Sequence, residues 1–550
     1  MANLTKSALV LYFIMLSNWA LAQSDDYIGA SEHIEHASQV SDVFVWSVQQ
    51  LPNANFKSLP SILNELAALD DASSSKLLVY LSNGDVYFHP QTKQVIYLTK
   101  NSQGERIHTD VLSDTSIALL SGRLRKVRIN NSIRSLITQL QAQQNLNHSS
   151  IDVRLGAAKD LLGEIDNISS DAVNARLTKE SDSDVTAILR TILALKMLDS
   201  AGAENVSSAL VILSGSLEPD VKAALMTASL QSDKYPPNAI KEIQATLANI
   251  DNTRKWYGYI ENVFFGLSLG SVLLLAAIGL TITFGVMGVI NMAHGEMIML
   301  GAYTTYVVQQ AFPNLIEYSL LIAIPAAFMV SGTAGVIVER CIIQFLKGRP
   351  LETLLATFGV SLILQQLVRT VFSPLNRQVA SPEWMSGSWQ INPAFSVTFN
   401  RLYIVLFSLS LFFALLVFLK KSSLGLHVRA VAQNRDMARA LSVKSNWVDA
   451  ATFGLGSGIA GIAGVVLSQL TNVGPNLGQA YIIDSFLVVV FGGVGNLWGT
   501  LVSAMSLGIL NKFLEPITGP VLATIIVLVG LVFFIQKRPK GLFPQKGRAE

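Results

Sequence analysis

The chain has 550 residues, half of them apolar and 14% charged, against roughly 25% charged in ordinary soluble domains. A net charge of +2 argues against nucleic acid as a partner, and a single cysteine, Cys341, excludes an intramolecular disulfide. The length implies two or more domains, and the charge deficit lies almost wholly beyond residue 255, where long apolar stretches alternate with short polar ones.

Residues 1–22 read as a signal peptide. Lys6 supplies the positive start, Ser7 to Leu16 the apolar run, and Ala20-Leu21-Ala22 a small-x-small cleavage site before Gln23. A first membrane helix is disfavoured, because the run is short and a long hydrophilic stretch follows. Removal of the peptide would leave residues 23–255 as a mostly helical periplasmic extension. Within it, Lys76 to Asp110 has strand character: LLVYLSNGDVYFHP and QVIYLTK are β-rich, with Asn83-Gly84-Asp85 as a hairpin turn. From Ile151 the pattern is helical. LTKESDSDVTAIL from Leu177 resembles LSGSLEPDVKAAL from Leu213, an offset of 36 residues. That period fits HEAT-like helix pairs over 151–250. His33, His36, His89, His108 and His148 lack metal-ligand spacing, apart from a weak His33/His36 pair.

Pro236 to Arg254 reads as a linker. Trp256, Tyr257 and Tyr259 then mark a membrane interface and open a domain of residues 256–550. Apolar spans follow at about 260–284, 286–310, 318–346, 350–372, 402–420, 447–470, 482–510 and 518–536, each long enough for a hydrocarbon core of about 30 Å. Small residues, as in SGTAG from Ser331 and GLGSGIAGIAG from Gly454, imply close helix packing in lipid. The fold class is therefore an all-α polytopic membrane protein of about eight or nine crossings. Basic residues crowd the loop from Lys420 to Lys444, the pair Lys347 and Arg349, and the tail from Lys537 to Arg548; the positive-inside rule puts these in the cytoplasm. An exported N-terminus with a cytoplasmic tail requires an odd number of crossings. A reversal of two half-helices at Gly492, Gly493, Gly495 and Asn496 within 482–510 would supply the ninth.

The stretch Gly279 to Gln310 places Asn291, His294 and Glu296 beside Gly295 in an apolar region. Ionisable groups in a membrane normally face the bundle interior or a wet cavity, and Gly-interrupted helices commonly build transport sites. These four residues, with Gly492, Gly493, Gly495 and Asn496, are the candidates for a translocation path. The alternative is that His294 and Glu296 satisfy each other or cap a broken helix. No GxxxxGK[ST] phosphate loop occurs, so the chain binds no cofactor of its own that the sequence reveals, and ATP would be used by separate subunits.

NMAHGE followed by MLGAY, together with VERCIIQFLKGRPLETLLATFGVSLILQ and FLVVVFGGVGNLWGTLVSA, resembles the branched-chain amino acid permease family of ABC importers from about Asn262 to Pro544. Within that family GVMGVINMAHGEMIMLGAYTTYVVQ is most similar to urea-importer permeases, whose members often carry an exported N-terminal extension. The resemblance implies a multi-pass inner-membrane subunit that imports urea. Branched-chain amino acids or short amides are the alternative cargo, and a passive urea channel is an alternative of another class. It also implies a second related permease subunit, two ATP-binding subunits, a periplasmic urea-binding protein and surrounding membrane lipid as partners. Leu424 to Trp447 has an amphipathic rhythm and resembles the family's coupling helix, which docks on the ATPase. Arg429, Ala432, Arg435, Asp436, Ala438, Leu441 and Ser442 are the coupling candidates. Family members usually carry Gly where this chain has Ser442, which leaves the turn there open.

Overall fold

The computed structural model describes residues 41–543 apart from 70, 101–105, 118–123, 164, 166–168, 201–202 and 232. The expected signal peptide 1–22, the expected mature start at Gln23 and the His33/His36 pair lie outside the described residues. The chain divides into two compact units, Met1–Ser216 with Ala223–Ile243, and Leu217–Lys222 with Gln244–Glu550.

In the first unit α1 (Asp42–Gln50), α2 (Leu59–Ala68) and α3 (Ala72–Asn83) precede an antiparallel sheet, order β4-β3-β2-β1-β5, and α4 (Asn131–Asn145) follows it. The strands are β1 (Val86–Phe88), β2 (Val95–Lys100), β3 (Arg106–Asp110), β4 (Ser116–Ile117) and β5 (Arg125–Lys126). The expectation for QVIYLTK holds, whereas LLVYLSN is the end of a helix rather than a strand. Asp71 caps α3 by accepting from Ser74 N, Gly84 ends it at φ +75°, and Ser74, Leu77, Leu78 and Leu81 are buried at helical spacing. Gly84 is therefore a left-handed helix stop, and the hairpin turn falls later, where His89 N donates to Gln94 O.

Next come α5 (Ile151–Leu162), α6 (Ser170–Leu177), α7 (Ser183–Asp199), α8 (Ala203–Leu213) and α9 (Pro219–Leu230). The repeat aligns α6–α7 with α8–α9. Asp184 and Asp220 sit in the first turns of α7 and α9, and Val185, Leu189, Val221 and Leu225 are all fully buried. Arg154 grips Glu180 through Nε (3.0 Å) and Arg176 grips it through a second guanidinium (2.6 Å), while Ser181 N and Asp182 N also donate to it.

The second unit holds most of α10 (Pro237–Met287), then α11 (His294–Ala311), α12 (Ser319–Cys341), α13 (Pro350–Phe372), α14 (Phe399–Lys421), the short α15 (Ser423–Gln433) and α16 (Arg435–Ala440), α17 (Ser445–Ser468), α18 (Leu477–Gly492), α19 (Leu497–Thr518) and α20 (Pro520–Lys537). A small hairpin, β6 (Ser388–Asn392) with β7 (Phe395–Thr398), precedes α14. The expected linker is the first part of the continuous helix α10. Among the described residues seven helices are long and apolar enough to span a membrane: α10, α12, α13, α14, α17, α19 and α20. The 18-residue α11, less apolar than these, and the shorter, 16-residue α18 bring the long membrane-half helices to nine among the described residues.

Contacts sort the helix ends. Val286, Val428, Val431, Ala438 and Val448 cluster at one end, and Val308, Leu320 and Val465 cluster at the other. The first end carries the basic loops, so the positive-inside rule makes it cytoplasmic. The tail lies there too, since a Cβ on Gly285 would meet Gly495 and Phe543 N donates to Gly492 O. The chain does reverse at Gly492 to Asn496, between α18 and α19; the expectation is corrected only in depth and in the length of α19. The turn lies at the cytoplasmic edge, and α19 is a full-length span of 22 residues.

Two helices start inside the bundle instead. The end of α10 reaches the cytoplasmic edge, residues 288–293 turn back, and α11 begins where His294 meets Ala276 O. That point is 11 residues before Met287, about 16 Å up the helix. In the opposite sense, α17 runs to the outer end, 469–476 dips back, and α18 begins against α11. A Cβ on Gly295 would lie 2.7 Å from Gly478 O, so only glycine permits the contact.

Arg154 foremost, with the backbone N–H of Asp182, Arg176 and the N–H of Ser181, holds the Glu180 carboxyl down at about 2, well below its usual 4.5, against the upward push of burial. A depressed carboxyl adds stability above the unfolded value and loses it as pH falls toward the folded one. Thermal unfolding of the intact protein should show a wild-type advantage over Glu180→Gln that is constant above about pH 4.5 and vanishes toward pH 2. An advantage independent of pH would show that the ionised carboxylate is not what stabilises this turn.

Candidate functional site

The start of α11 is tied to one face of α13. Met292 N donates to Thr357 Oγ1 (3.1 Å). Ser361 Oγ (2.5 Å) and Gln365 Nε2 (2.7 Å) both donate to Glu296 Oε1. Thr353, Thr357, Ser361 and Gln365 recur every fourth residue and are all buried, so they form a polar ridge along α13. The sequence reading missed this ridge, although its four-residue spacing was the signal. Asn291 Oδ1 accepts from Ala293 N (3.0 Å). The imidazole Nε2 of His294 lies 2.8 Å from Ala276 O, and a carbonyl only accepts, so Nε2 carries the hydrogen. His294 and Glu296 therefore do not satisfy each other. Both are 0% exposed, and Asn291 Nδ2, His294 Nδ1 and Glu296 Oε2 have no hydrogen-bond partner.

The other path candidates sit elsewhere. Gly492, Gly493, Gly495 and Asn496 lie at the far end of the 16-residue α18, about 24 Å from its start. There Gly493 (φ +102°) and Gly495 (φ +79°) make the turn, and Asn496 caps α19 by accepting from Gly499 N. Leu542 N and Phe543 N close the last carbonyls of α18, and Asn496 Nδ2 donates to Phe543 O (3.2 Å). This is a clamp for the tail, and it does not join Asn291, Gly295 and Glu296.

The cytoplasmic segment breaks at Asn434 into two helices, with Ser422 and Asn434 as N-caps. Val431 and Ala438 face inward against Val286 and Val448. Ala438 is thus a packing residue and is not on an outward docking face. Ala432 is half-buried, and Asp436 is exposed. Leu441 (79%) and Met437 (63%) form the exposed apolar edge. Arg429 donates to Leu419 O, which holds it against the bundle. Arg435 is also not a rim group: it grips Asp449 of α17 through two bonds (2.7 and 3.0 Å). Lys347 joins Asp449 (2.8 Å) and Glu339 of α12 (3.3 Å). Both carboxylates are fully buried, so this network ties α16 to two spans, and leaving either charge unpaired would be costly.

The position where family members usually carry Gly is a left-handed one: Ser442 has φ +65°. Val443 N donates to Ala438 O and Ser442 N to Arg439 O, a Schellman stop. The turn is made with Ser, at the steric cost of a Cβ in that conformation.

Residues 262–536, half of the chain, match the family model described as branched-chain amino acid transport system / permease component. The chain belongs to that family. It is 28% identical over 304 residues to the high-affinity branched-chain amino acid transport system permease protein BraD of Pseudomonas aeruginosa, covering 54% of this chain and 97% of the relative. The LivH permease of Escherichia coli K12, of the same description, is 28% identical over 302 residues, 53% of this chain and 96% of the relative. The ribose import permease protein RbsC of that organism is 27% identical over 266 residues, 46% of this chain and 78% of the relative. No solved structure matches the chain. This permease is accordingly a multi-pass inner-membrane component of an ABC importer, and the names of these relatives speak for branched-chain amino acids and ribose rather than urea.

Two outcomes follow for this permease. Ser442→Gly should raise the stability of the purified protein by about 1 kcal/mol, by removing the left-handed penalty; an unchanged or lower melting temperature would show that the Ser costs nothing there. Glu296→Ala should lower it by about 1–3 kcal/mol, because Ser361 and Gln365 lose their acceptor, while Glu296→Gln, which keeps an oxygen in place, should melt near wild type. Equal losses in both would mean that the charge, not the acceptor, holds α11 to α13.

Proposed function

We propose that this chain is one of two related permease subunits of an ATP-driven importer, and that it carries a branched-chain amino acid or a short amide inward. The observation that carries this reading is coverage: the membrane half aligns with 97% of one branched-chain amino acid permease and 96% of another. Two ATP-binding subunits would dock on the exposed edge of Met437 and Leu441, and a periplasmic binding protein would deliver the solute. The network of Arg435, Asp449, Lys347 and Glu339 would pass the ATPase movement from α16 to α17 and α12. Asn291, His294, Gly295 and Glu296 would then serve the path by fixing the internal start of α11, and Gly492 to Asn496 by fixing the turn that follows α18. Residues 23–255 would form a periplasmic domain after loss of residues 1–22, with HEAT-like pairs in 151–250.

Urea is the second reading. It is favoured by the wording of residues 285–309 and by the large unit that precedes the membrane half. In cells expressing the whole importer, uptake of labelled leucine should depend on ATP and exceed uptake of labelled urea. Preferential urea uptake would move the assignment to the second reading. Urea flux that persists without ATP would replace both with a passive channel.

A further inference from the structure

The two helices that start inside the bundle differ in one respect. The first residue after Gly295, Glu296, is sealed by Ser361 and Gln365. The first residue after Gly478, Gln479, is exposed, and its side chain has no hydrogen bond among the described residues. One face of α18 is packed: Ser485, Val488, Val489 and Gly492 are buried, and Ser503 Oγ donates to Val488 O (2.6 Å). The other face is open in its outer half. Asn476, Gln479 and Ala480 are exposed, Ile483 is 62% exposed, and Asp484 is half-buried.

Asp484 stands in the middle of α18, and no hydrogen bond or ion pair among the described residues reaches its carboxylate. A carboxylate at the membrane centre costs about 2.5–3.5 kcal/mol on insertion scales, so it does not belong against lipid. The polar groups near it are not isolated. Thr471, Asn472 and Asn476 are exposed on the outer segment, and Arg369 donates to Asn476 Oδ1 (2.8 Å); Asn476, Ala480 and Asp484 follow at the four-residue spacing of one helix face, with Gln479 and Ile483 at the edge of the same open sector. Polar groups spaced along one open sector from the outer end to mid-depth suit a moving solute; a fixed ion pair would need only one point.

We propose that Gln479 and Asp484 line the wet translocation path at mid-depth, and that the Asp484 carboxylate accepts N–H donors from the passing solute. This rests on the permease reading above. The donor chemistry is shared by the ammonium group of an amino acid and the amide hydrogens of urea.

Thiol accessibility in the intact importer tests the path without reference to cargo. In a Cys341→Ser background, Gln479→Cys and Asp484→Cys should react with a membrane-impermeant methanethiosulfonate reagent, and Val488→Cys on the packed face should not. Failure of both to react would overturn the proposal, because lipid or protein would then cover this face. Uptake supplies the second arm. Asp484→Ala should raise the KM for the transported solute at least tenfold with the complex recovered intact. Asp484→Asn, which keeps an acceptor but not the charge, should impair leucine uptake far more than urea uptake. An unchanged KM in Asp484→Ala would also overturn the proposal, as would loss of the complex, which would make the carboxylate a subunit contact. Labelling of the cysteine variants at 479 and 484, in an importer whose wild type transports neither solute, would leave the path standing and sink only the cargo reading.

Discussion

A helix that begins inside an apolar bundle exposes its first N–H groups where water cannot satisfy them, and this permease contains two such starts. Each unpaired group would cost several kcal/mol in hydrocarbon. The first start meets the requirement with Asn291 Oδ1, Asn291 O, Ala293 O and Thr357 Oγ1. The second uses Gly474 O and an isolated bridge between Val473 and Arg377. The contact of Gly295 with Gly478 lets the starts share one depth, and no side chain larger than hydrogen fits between them.

The remaining packing follows from that depth. Helix α17 lies at the centre, and nearly all of its residues are buried. Its glycines admit neighbours at backbone distance: a Cβ on Gly456 would lie 2.7 Å from Gly279 O, and one on Gly461 would lie 2.6 Å from Ala327 O. Apolar association between helices is weak in lipid, so such close van der Waals approach is what holds the bundle. Asp449 at the basic-loop end of α17 binds Arg435 and Lys347, so the helix at the centre of the bundle is also the one joined to the short helix α16.

Helix positions and family were legible in the sequence because lipid demands long apolar runs and the family's motifs lie within them. GVMGVINMAHGE was correctly singled out as a broken helix with buried polar groups, since Gly, Asn, His and Glu are costly there unless structurally answered. The sequence signal failed at LLVYLSN, where β-rich composition lost to Asp71 and Gly84 as helix caps. At Gly492 to Asn496 the reversal was legible but not its depth, because a glycine turn looks the same at mid-depth and at the membrane edge.

What the sequence determined alone is therefore the class of protein, its nine long membrane-half helices and the residues too polar to lie in lipid. Only tertiary structure decided which of those residues face one another. Composition records that Glu296 and Asp484 are both carboxylates in apolar helices; it cannot record that Ser361 and Gln365 close over the first while the second is left without a donor. That distinction depends on how α13 and α18 lie against α11, through contacts 65 and 69 residues apart in the chain, and such contacts leave no local periodicity to read.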